Sequence, residues 1–234
     1  MIGKLISLEE LEEHLRSLQG RFLGGSPVTE IILHHTWSPT TVQYKGLATW
    51  EAIRMYHMKE RGWRDIGYHL GIGPRETGVW LLRPMTMTGG HCVGHNSKSI
   101  GIAMIGNFDS EDPQLCLPQA IKVMAVCCRV LGLEPEDIYF HRDFANKTCP
   151  GTRIDRATVR AAVSQILKTE TPAVETGLKV VLATGGDNYI VVDCSPVLEG
   201  DVVRCNLRPL AEAMGYVVTD HIKDQGKVYL HPRK

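Results

Sequence analysis

Short apolar runs alternate with amphipathic segments along the first 168 residues of the chain. The runs are bounded by glycine, proline or polar residues, which predicts five strands: 29–36, 67–73, 78–84, 99–108 and 137–141. Apolar residues at helical spacing predict four helices: 7–18, 47–62, 118–133 and 155–168. Because strands alternate with helices, we predict an α/β fold in which helices flank a mixed central β-sheet.

The composition changes at residues 169–177, which are rich in threonine and glutamate and contain Pro172. This pattern is typical of a linker, so we predict one domain over 1–168 and a second over 178–234. In the second segment the pattern predicts strands around one short helix. That makes it a small C-terminal α+β domain near the lower size limit for independent folding.

The charge pattern narrows the classes of partner. Lysine plus arginine and aspartate plus glutamate number 26 each, so the formal net charge is zero and no nucleic-acid partner is predicted.

No stretch approaches the roughly 18–20 apolar residues of a membrane span, so no membrane insertion is predicted. The N-terminal segment lacks the features of a secretory signal, and we expect the protein to be made and kept in a cytosol unless another agent releases it.

The chain contains seven cysteines. The number is odd, two are adjacent and no C-x-x-C pair occurs, which argues against a disulfide framework and against a zinc-ribbon module. Most of these cysteines are expected to be small buried residues. Cys149 differs, because polar and turn-forming residues surround it in the stretch NKTCPG.

The stretch HRDFANKTCPG places His141 eight residues before Cys149. Eight extended residues span about 26 Å, whereas the ligands of one zinc ion lie within a few ångströms of one another. The segment must therefore double back if both residues bind one metal ion, and its asparagine and Pro-Gly provide turn-forming residues. On this spacing alone, the pair could equally be an unrelated surface residue and core residue.

A further ligand is available at the end of the strand predicted over 29–36. His34 and His35 occupy consecutive positions, so their side chains point to opposite faces of the sheet. Both faces of this strand are apolar, so periodicity does not decide which histidine faces the site. Two histidines, one cysteine and no fourth protein ligand would describe a catalytic zinc with one position open for water.

Three further residues lie in segments that could line such a site. Tyr68 is either a strand tyrosine that packs its ring or a phenol that donates a hydrogen bond to a substrate carbonyl. Lys147 is either a solvated loop residue or a cation that stabilises a developing oxyanion. His91 lies in a glycine-rich loop, and we predict that it lines a substrate cleft and does not bind a metal ion.

Four ordered motifs resemble those of a known enzyme family: IILHHTWSPT, GWRDIGYHLGIG, GGHCVGHNSKSIGIAMIGNF and HRDFANKTCPG. From about residue 29 to 155 the chain is similar to the zinc-dependent N-acetylmuramoyl-L-alanine amidases. That group includes the amidase-type phage lysozymes and the peptidoglycan recognition proteins. The resemblance implies a zinc amidase catalytic domain over 1–168. Its substrate would be bacterial peptidoglycan, cleaved at the amide between the lactyl group of N-acetylmuramic acid and L-alanine.

The resemblance also implies roles for individual residues. His34, His141 and Cys149 correspond to the zinc ligands of the family, so Zn²⁺ is the implied cofactor. Tyr68 corresponds to its catalytic tyrosine. Lys147 corresponds to the catalytic lysine of the phage lysozyme branch, two residues before the cysteine.

Other positions resemble the family or depart from it. His91 corresponds to the histidine that lines the substrate cleft in relatives. The turn PRET at 74–77 stands where relatives usually carry an Asp-Gly-type hairpin turn. The helix predicted over 7–18 is a second departure, because many minimal members lack it.

The segment 178–234 resembles a small module similar to the copper amine oxidase N-terminal domain, which recurs in wall-associated proteins of Firmicutes. The resemblance rests on predicted strands followed by LRPLAEAMGY, and it implies no copper. We expect this module to anchor the protein to the cell wall or to form a homodimer. A passive stabilising cap is the alternative.

These features favour a phage or prophage endolysin that is made in the host cytoplasm and acts on the cell wall after release. Two alternatives stay open: a non-catalytic peptidoglycan-recognition module, and a cytosolic amidase that recycles wall fragments. The presence of both Cys149 and Lys147 argues against the first. A wall-binding second domain would be unnecessary for the second.

Overall fold

The computed structural model describes residues 3–170 and, further along the chain, six strands. The chain divides into two compact units, Met1–Lys168 and Thr169–Lys234. The six later strands form three antiparallel pairs: Leu178–Ala183 with Tyr189–Cys194, Val197–Glu199 with Val202–Arg204, and Tyr216–Ile222 with Lys227–Pro232. The short helix predicted there, and 171–177 of the predicted linker, lie outside the described residues. None of the helices in the described part of the chain has the length and apolarity needed to cross a membrane.

Within residues 3–170 a mixed sheet forms the centre of the fold. Its strands are β1 (Lys4–Ile6), β2 (Glu30–His35), β3 (Leu70–Ile72), β4 (Val79–Leu81), β5 (Ser99–Met104) and β6 (Ile138–Phe140). Their order across the sheet is β1-β4-β3-β5-β2-β6. β2 is parallel to β5 and β6, and β3 is parallel to β5, whereas β4 is antiparallel to β1 and β3. The mixed central sheet with flanking helices confirms the predicted fold class.

Helices cover both faces of this sheet: α1 (Leu8–Ser17), α2 (Leu47–Lys59), α3 (Leu117–Leu131) and α4 (Arg156–Glu170). Apolar residues of α1, α3 and α4 share one core with Ile100 and Ile102 of β5. Trp50 and Ile53 of α2 belong to a second core, to which β5 contributes Ala103. Successive residues of β5 thus enter different cores, because side chains alternate between the faces of a strand.

Local signals set the ends of the helices. α1 begins after Ser7, whose hydroxyl accepts a hydrogen bond from the N–H of Glu10, while the Glu10 carboxylate accepts one from the N–H of Ser7. Before α4 the carboxylate of Asp155 accepts a hydrogen bond from the N–H of Thr158. The sequence pattern does not predict β1, because a strand of three residues is too short to show a periodicity.

Candidate metal centre and catalytic cleft

His34 and His141 meet because two neighbouring parallel strands end side by side. Leu33 of β2 is in register with Phe140 of β6. The next residues, His34 and His141, therefore lie together at the carboxyl ends of these strands, where α/β sheets commonly bind ligands. Their ring centroids are 4.6 Å apart. His34 is buried and His141 is partly exposed.

The segment from His141 to Cys149 doubles back, as the spacing argument predicts. The N–H of Arg142 donates to the carbonyl of Cys149 over 2.9 Å and closes the loop. The guanidinium of Arg142 also donates to the carbonyls of Gly151 and Ile154, each over 2.7 Å. One arginine thereby fixes both the loop and the chain that follows it. The role of Arg142 could not be predicted from the sequence, because its partners are backbone carbonyls.

The three predicted metal ligands form a compact donor set. One ligand atom from each of His34, His141 and Cys149 lies within 4.8 Å of the other two. The Cys149 Sγ is 3.7 Å from His34 Nδ1 and accepts a hydrogen bond from the backbone N–H of His35 over 3.3 Å. Two imidazoles and one thiolate match the donors of catalytic zinc sites that keep a position open. The donor set could therefore hold a metal ion.

Burial controls the protonation of this donor set. Burial, reinforced by the positive charge that His91 and His141 would carry, holds the pKa of His34 well below its ordinary value. Burial and the charge of Lys147 lower the pKa of His141 to about 4. Burial raises the pKa of the Cys149 thiol to about 12. Both imidazoles are therefore neutral with lone pairs available, and a bound cation would replace the thiol proton.

A chain of hydrogen bonds assigns the tautomer of His34. The Ser99 hydroxyl donates to the carbonyl of His95 over 2.7 Å, so its oxygen can accept from the Nε2–H of His91, 3.5 Å away. Nδ1 of His91 is then free to accept from the Nε2–H of His34 over 3.0 Å. This assignment leaves the lone pair of His34 Nδ1 facing the Cys149 Sγ.

His91 lies behind His34 in this arrangement. It is buried, and its ring centroid is 5.0 Å from that of His34 and 5.7 Å from that of His69. These contacts favour a role in orienting His34. The substrate contact that the sequence predicts for His91 stays a prediction.

His35 points to the opposite face of β2, as the alternation of side chains predicts. Its Nδ1 accepts a hydrogen bond from the N–H of Phe108 over 3.2 Å. Burial lowers its pKa to about 4, so the ring is neutral in the folded protein. The structure thereby settles which of the two histidines joins the donor set: it is His34.

Tyr68 lines a cavity of about 690 Å³ beside the donor set. The other walls of this cavity are the segment 36–45 and α2. The Tyr68 ring centroid is 5.3 Å from that of His34 and 5.6 Å from that of His57, which also lines the cavity. Burial raises the pKa of the Tyr68 phenol, so the hydroxyl is protonated and able to donate.

Lys147 is exposed on the loop that carries Cys149. Its positive charge adds to the burial that lowers the pKa values of His34 and His141, and it partly offsets the burial that raises the pKa of Cys149. The backbone N–H of Lys147 donates to the carbonyl of Ala145 over 2.8 Å, which tightens the loop just before the cysteine.

Two carboxylates hold the wall segment 36–45 in place. Glu111 accepts hydrogen bonds from the N–H and the hydroxyl of Thr41, over 3.0 Å and 2.5 Å. Glu76, in the PRET turn, accepts a hydrogen bond from the hydroxyl of Tyr44 over 2.7 Å. Neither anchor could be predicted from the sequence, because the partners are 70 and 32 residues apart along the chain.

The model of the Amidase_2 family, described as N-acetylmuramoyl-L-alanine amidase, matches residues 24–152. The chain belongs to this family. The match begins before β2 and ends after Cys149, so it includes every residue with a predicted role in the site.

Relatives in the Amidase_2 family carry two kinds of name. Over 157 residues the chain is 30% identical to peptidoglycan-recognition protein LB of Drosophila melanogaster. This match covers 65% of this chain and 66% of that protein. Over 131 residues it is 30% identical to the N-acetylmuramoyl-L-alanine amidase of Homo sapiens. This match covers 53% of this chain and only 23% of the much longer human protein. Among solved structures, the endolysin N-acetylmuramoyl-L-alanine amidase LysCS of Clostridium intestinale has a TM-score of 0.52 at 26% identity. That similarity covers 61% of this chain and 88% of LysCS.

Proposed function

We propose that this protein is a zinc-dependent N-acetylmuramoyl-L-alanine amidase. It would hydrolyse the amide that joins the lactyl group of N-acetylmuramic acid to L-alanine in bacterial peptidoglycan. The observation that carries the proposal is the donor set of His34, His141 and Cys149, whose ligand atoms lie within 4.8 Å of one another beside Tyr68. Membership of the Amidase_2 family supports the reaction class.

His34, His141 and Cys149 would hold the zinc ion. Bound there, Zn²⁺ supplies a Lewis acid that polarises the scissile carbonyl and lowers the pKa of water toward about 7. The contact of His91 with His34 Nε2 fixes the orientation of the ring, and the N–H of His35 orients the Cys149 sulfur. Such supporting contacts keep ligands in one geometry before substrate arrives.

Tyr68 and Lys147 would act on the substrate carbonyl. Attack by water on the amide carbon moves negative charge onto the carbonyl oxygen, and the Tyr68 hydroxyl donates a hydrogen bond to that oxygen. The raised pKa of the phenol keeps the proton available through this step. The ammonium of Lys147 adds positive charge on the solvent side, because it is exposed on the loop beside Cys149. The attacking water gives up a proton, the nitrogen of L-alanine gains one as the carbon–nitrogen bond breaks, and the products are a lactyl carboxylate and a free amine.

We also propose a lytic role, in which the protein is made in a host cytoplasm and reaches the cell wall after release. The likeness to the endolysin LysCS supports this role. Residues 178–234 would anchor the protein to the wall or join two copies as a homodimer. Pelleting of the full chain with purified walls tests the wall anchoring. Sedimentation equilibrium of the free chain tests the formation of a homodimer.

The decisive experiment is clearance of purified cell walls by the full chain, with and without a chelator, for the wild type and Cys149→Ala. We expect the wild type to clear walls, to lose activity in chelator and to recover it when zinc is restored. Cys149→Ala should be inactive and hold no zinc by elemental analysis. Cys127→Ala removes a buried thiol of α3 instead and should keep both zinc and activity.

Product analysis separates the amidase from its alternatives. Mass spectrometry should find new peptides that begin with a free L-alanine and glycan strands that keep intact lactyl groups. Full wall clearance by Cys149→Ala would contradict the proposal. Binding to walls without any cleavage would identify a recognition module, and cleavage of soluble fragments alone would identify a recycling enzyme.

A further inference from the structure

Trp37 is held in solvent by a backbone conformation that a bulky residue rarely adopts. Its φ is 60°, in the left-handed region where a side chain with a Cβ atom is strained. The indole is 62% exposed, whereas Trp50 and Trp80 are buried. An exposed ring gains little packing to offset such strain, and strained residues of this kind concentrate at ligand-binding sites. The conformation therefore points to a binding role for the indole.

The backbone around Trp37 is fixed on both sides. The N–H of Trp37 donates to the carbonyl of Gly106 over 2.9 Å. The N–H of Gly106 donates to Oγ1 of Thr36 over 3.0 Å, and the Thr36 hydroxyl donates to the carbonyl of Pro39 over 2.9 Å. An aromatic side chain on such a fixed base loses little freedom when it binds a ligand.

Trp37 lines the same cavity as Tyr68. It follows His34 by three residues, so the two Cα atoms lie within about 10 Å of each other. Gln43 and Lys45 also line the cavity and offer polar groups suited to a peptide. A flat indole face suits a different ligand group, namely the face of a pyranose ring on which C–H bonds point outward.

We propose that Trp37 binds the sugar ring of the muramoyl group by stacking, and that it thereby selects substrates that still carry the sugar. This inference rests on the proposed function, because it takes the muramoyl amide as substrate. The lactyl carbonyl of N-acetylmuramic acid is only a few bonds from the ring. A scissile carbonyl beside Tyr68 therefore brings the sugar within reach of Trp37, while the wall along α2 receives the stem peptide.

The test compares two substrates with the same scissile amide, a muramoyl-peptide and the corresponding D-lactoyl-peptide that lacks the sugar. We expect Trp37→Ala to lower the ratio of kcat/KM for the muramoyl-peptide over the lactoyl-peptide about tenfold. Trp37→Phe should retain part of the preference. Tyr56→Ala, which removes another exposed ring of the same cavity, should leave the ratio near that of the wild type. An unchanged ratio in Trp37→Ala would overturn the proposal.

Binding and stability measurements keep the test decisive if hydrolysis itself fails. Titration of the full chain with the two ligands should show about tenfold weaker binding of the muramoyl-peptide to Trp37→Ala, with a smaller change for the lactoyl-peptide. Equal weakening for both ligands would refute sugar stacking, whatever the activity. Trp37→Gly relieves the strain at φ 60° and should keep or raise Tm. A marked fall in Tm would instead identify the indole as structural.

Discussion

The imidazole of His95 stacks on the ring of Phe144, with 3.6 Å between ring centroids and an interplanar angle of 25°. Nδ1 of the same imidazole is 2.7 Å from a carboxylate oxygen of Glu30, at the start of β2. His95 belongs to the loop that carries His91, and Phe144 belongs to the loop that carries Lys147. One stacked pair therefore joins the loop of His91 to the loop of Lys147.

Loss of this stack should misplace the Lys147 loop without emptying the metal site. We expect Phe144→Ala to lower kcat about tenfold, because small misplacements of catalytic groups have large kinetic effects. Zinc content should stay near one ion per chain. Phe144→Tyr keeps an aromatic ring and serves as the matched control. Unchanged kcat in Phe144→Ala would contradict this role. Loss of zinc would instead show that Phe144 supports the metal ligands and not only the loop of Lys147.

Tyr68 and Lys147 should differ in the size of their contributions. Tyr68→Phe removes one hydroxyl from a sheltered position and should lower kcat by about a hundredfold or more, as for other oxyanion donors. Lys147→Gln should lower kcat by about tenfold, because water screens an exposed charge. Chromatographic assay of released peptides, with zinc content as the control, measures both effects. Full activity of Tyr68→Phe would exclude the oxyanion role.

Gly101 of β5 leaves space for the ring of His91. A Cβ at this position would lie 2.4 Å from Cδ2 of His91, so Gly101→Ala should displace the ring that orients His34. We expect zinc affinity to fall about 10–100-fold, the usual effect of disturbing a supporting contact. Gly90→Ala is the matched control, since its Cβ would meet the nearest atom at an ordinary 3.5 Å. Equal zinc affinities in the two variants would contradict this arrangement.

Buried histidines should make stability depend on pH in the metal-free protein. Burial lowers the pKa values of His35, His57 and His69 to about 4, below the ordinary value of 6.5. Between these values the unfolded chain binds protons that the folded chain does not bind. Stability therefore rises with pH through this window and falls on acidification, by up to about 1.4 kcal/mol per pH unit for each histidine.

His69 offers the clearest test of this dependence, because it is fully buried and lies outside the donor set. Urea unfolding in chelator, at a series of pH values between 4 and 6.5, should give a shallower slope for His69→Gln than for the wild type. The free energy of unfolding of this variant is expected to fall. Nδ1 of the His69 ring accepts a hydrogen bond from the N–H of Gly101, and its Nε2–H donates one to the carbonyl of Met87. Parallel slopes for the two proteins would show that His69 does not titrate in this window.

Much of the centre could be predicted from strands and distances. His34 and His141 lie near the ends of predicted strands, and the separation of His141 from Cys149 requires the loop to double back if both residues bind one metal ion. The choice between His34 and His35 could not be made, because Ile31, Ile32 and Leu33 are all fully buried and leave β2 without a polar face. The register of β2 with β6, which aligns Leu33 with Phe140, decides which face meets His141.

The supporting contacts could not be predicted, because each joins residues far apart in the chain. Glu30 and His95 are 65 residues apart, and His34 and His91 are 57 apart. No periodicity or local motif connects such pairs. Tyr68 and Lys147 were selected through the family resemblance, since each has an equally ordinary structural interpretation on its own.

The tethering of segment 36–45 by Glu111 and Glu76 has a consequence for protein engineering. The segment forms much of one wall of the cleft, yet the side chains that fix its path reside in other parts of the chain. Transplanting this segment alone into another member of the family would leave Thr41 and Tyr44 without the acceptors that they have here. A graft intended to transfer the shape of this wall must therefore carry three separate pieces of sequence: the segment itself and the stretches that contain Glu76 and Glu111.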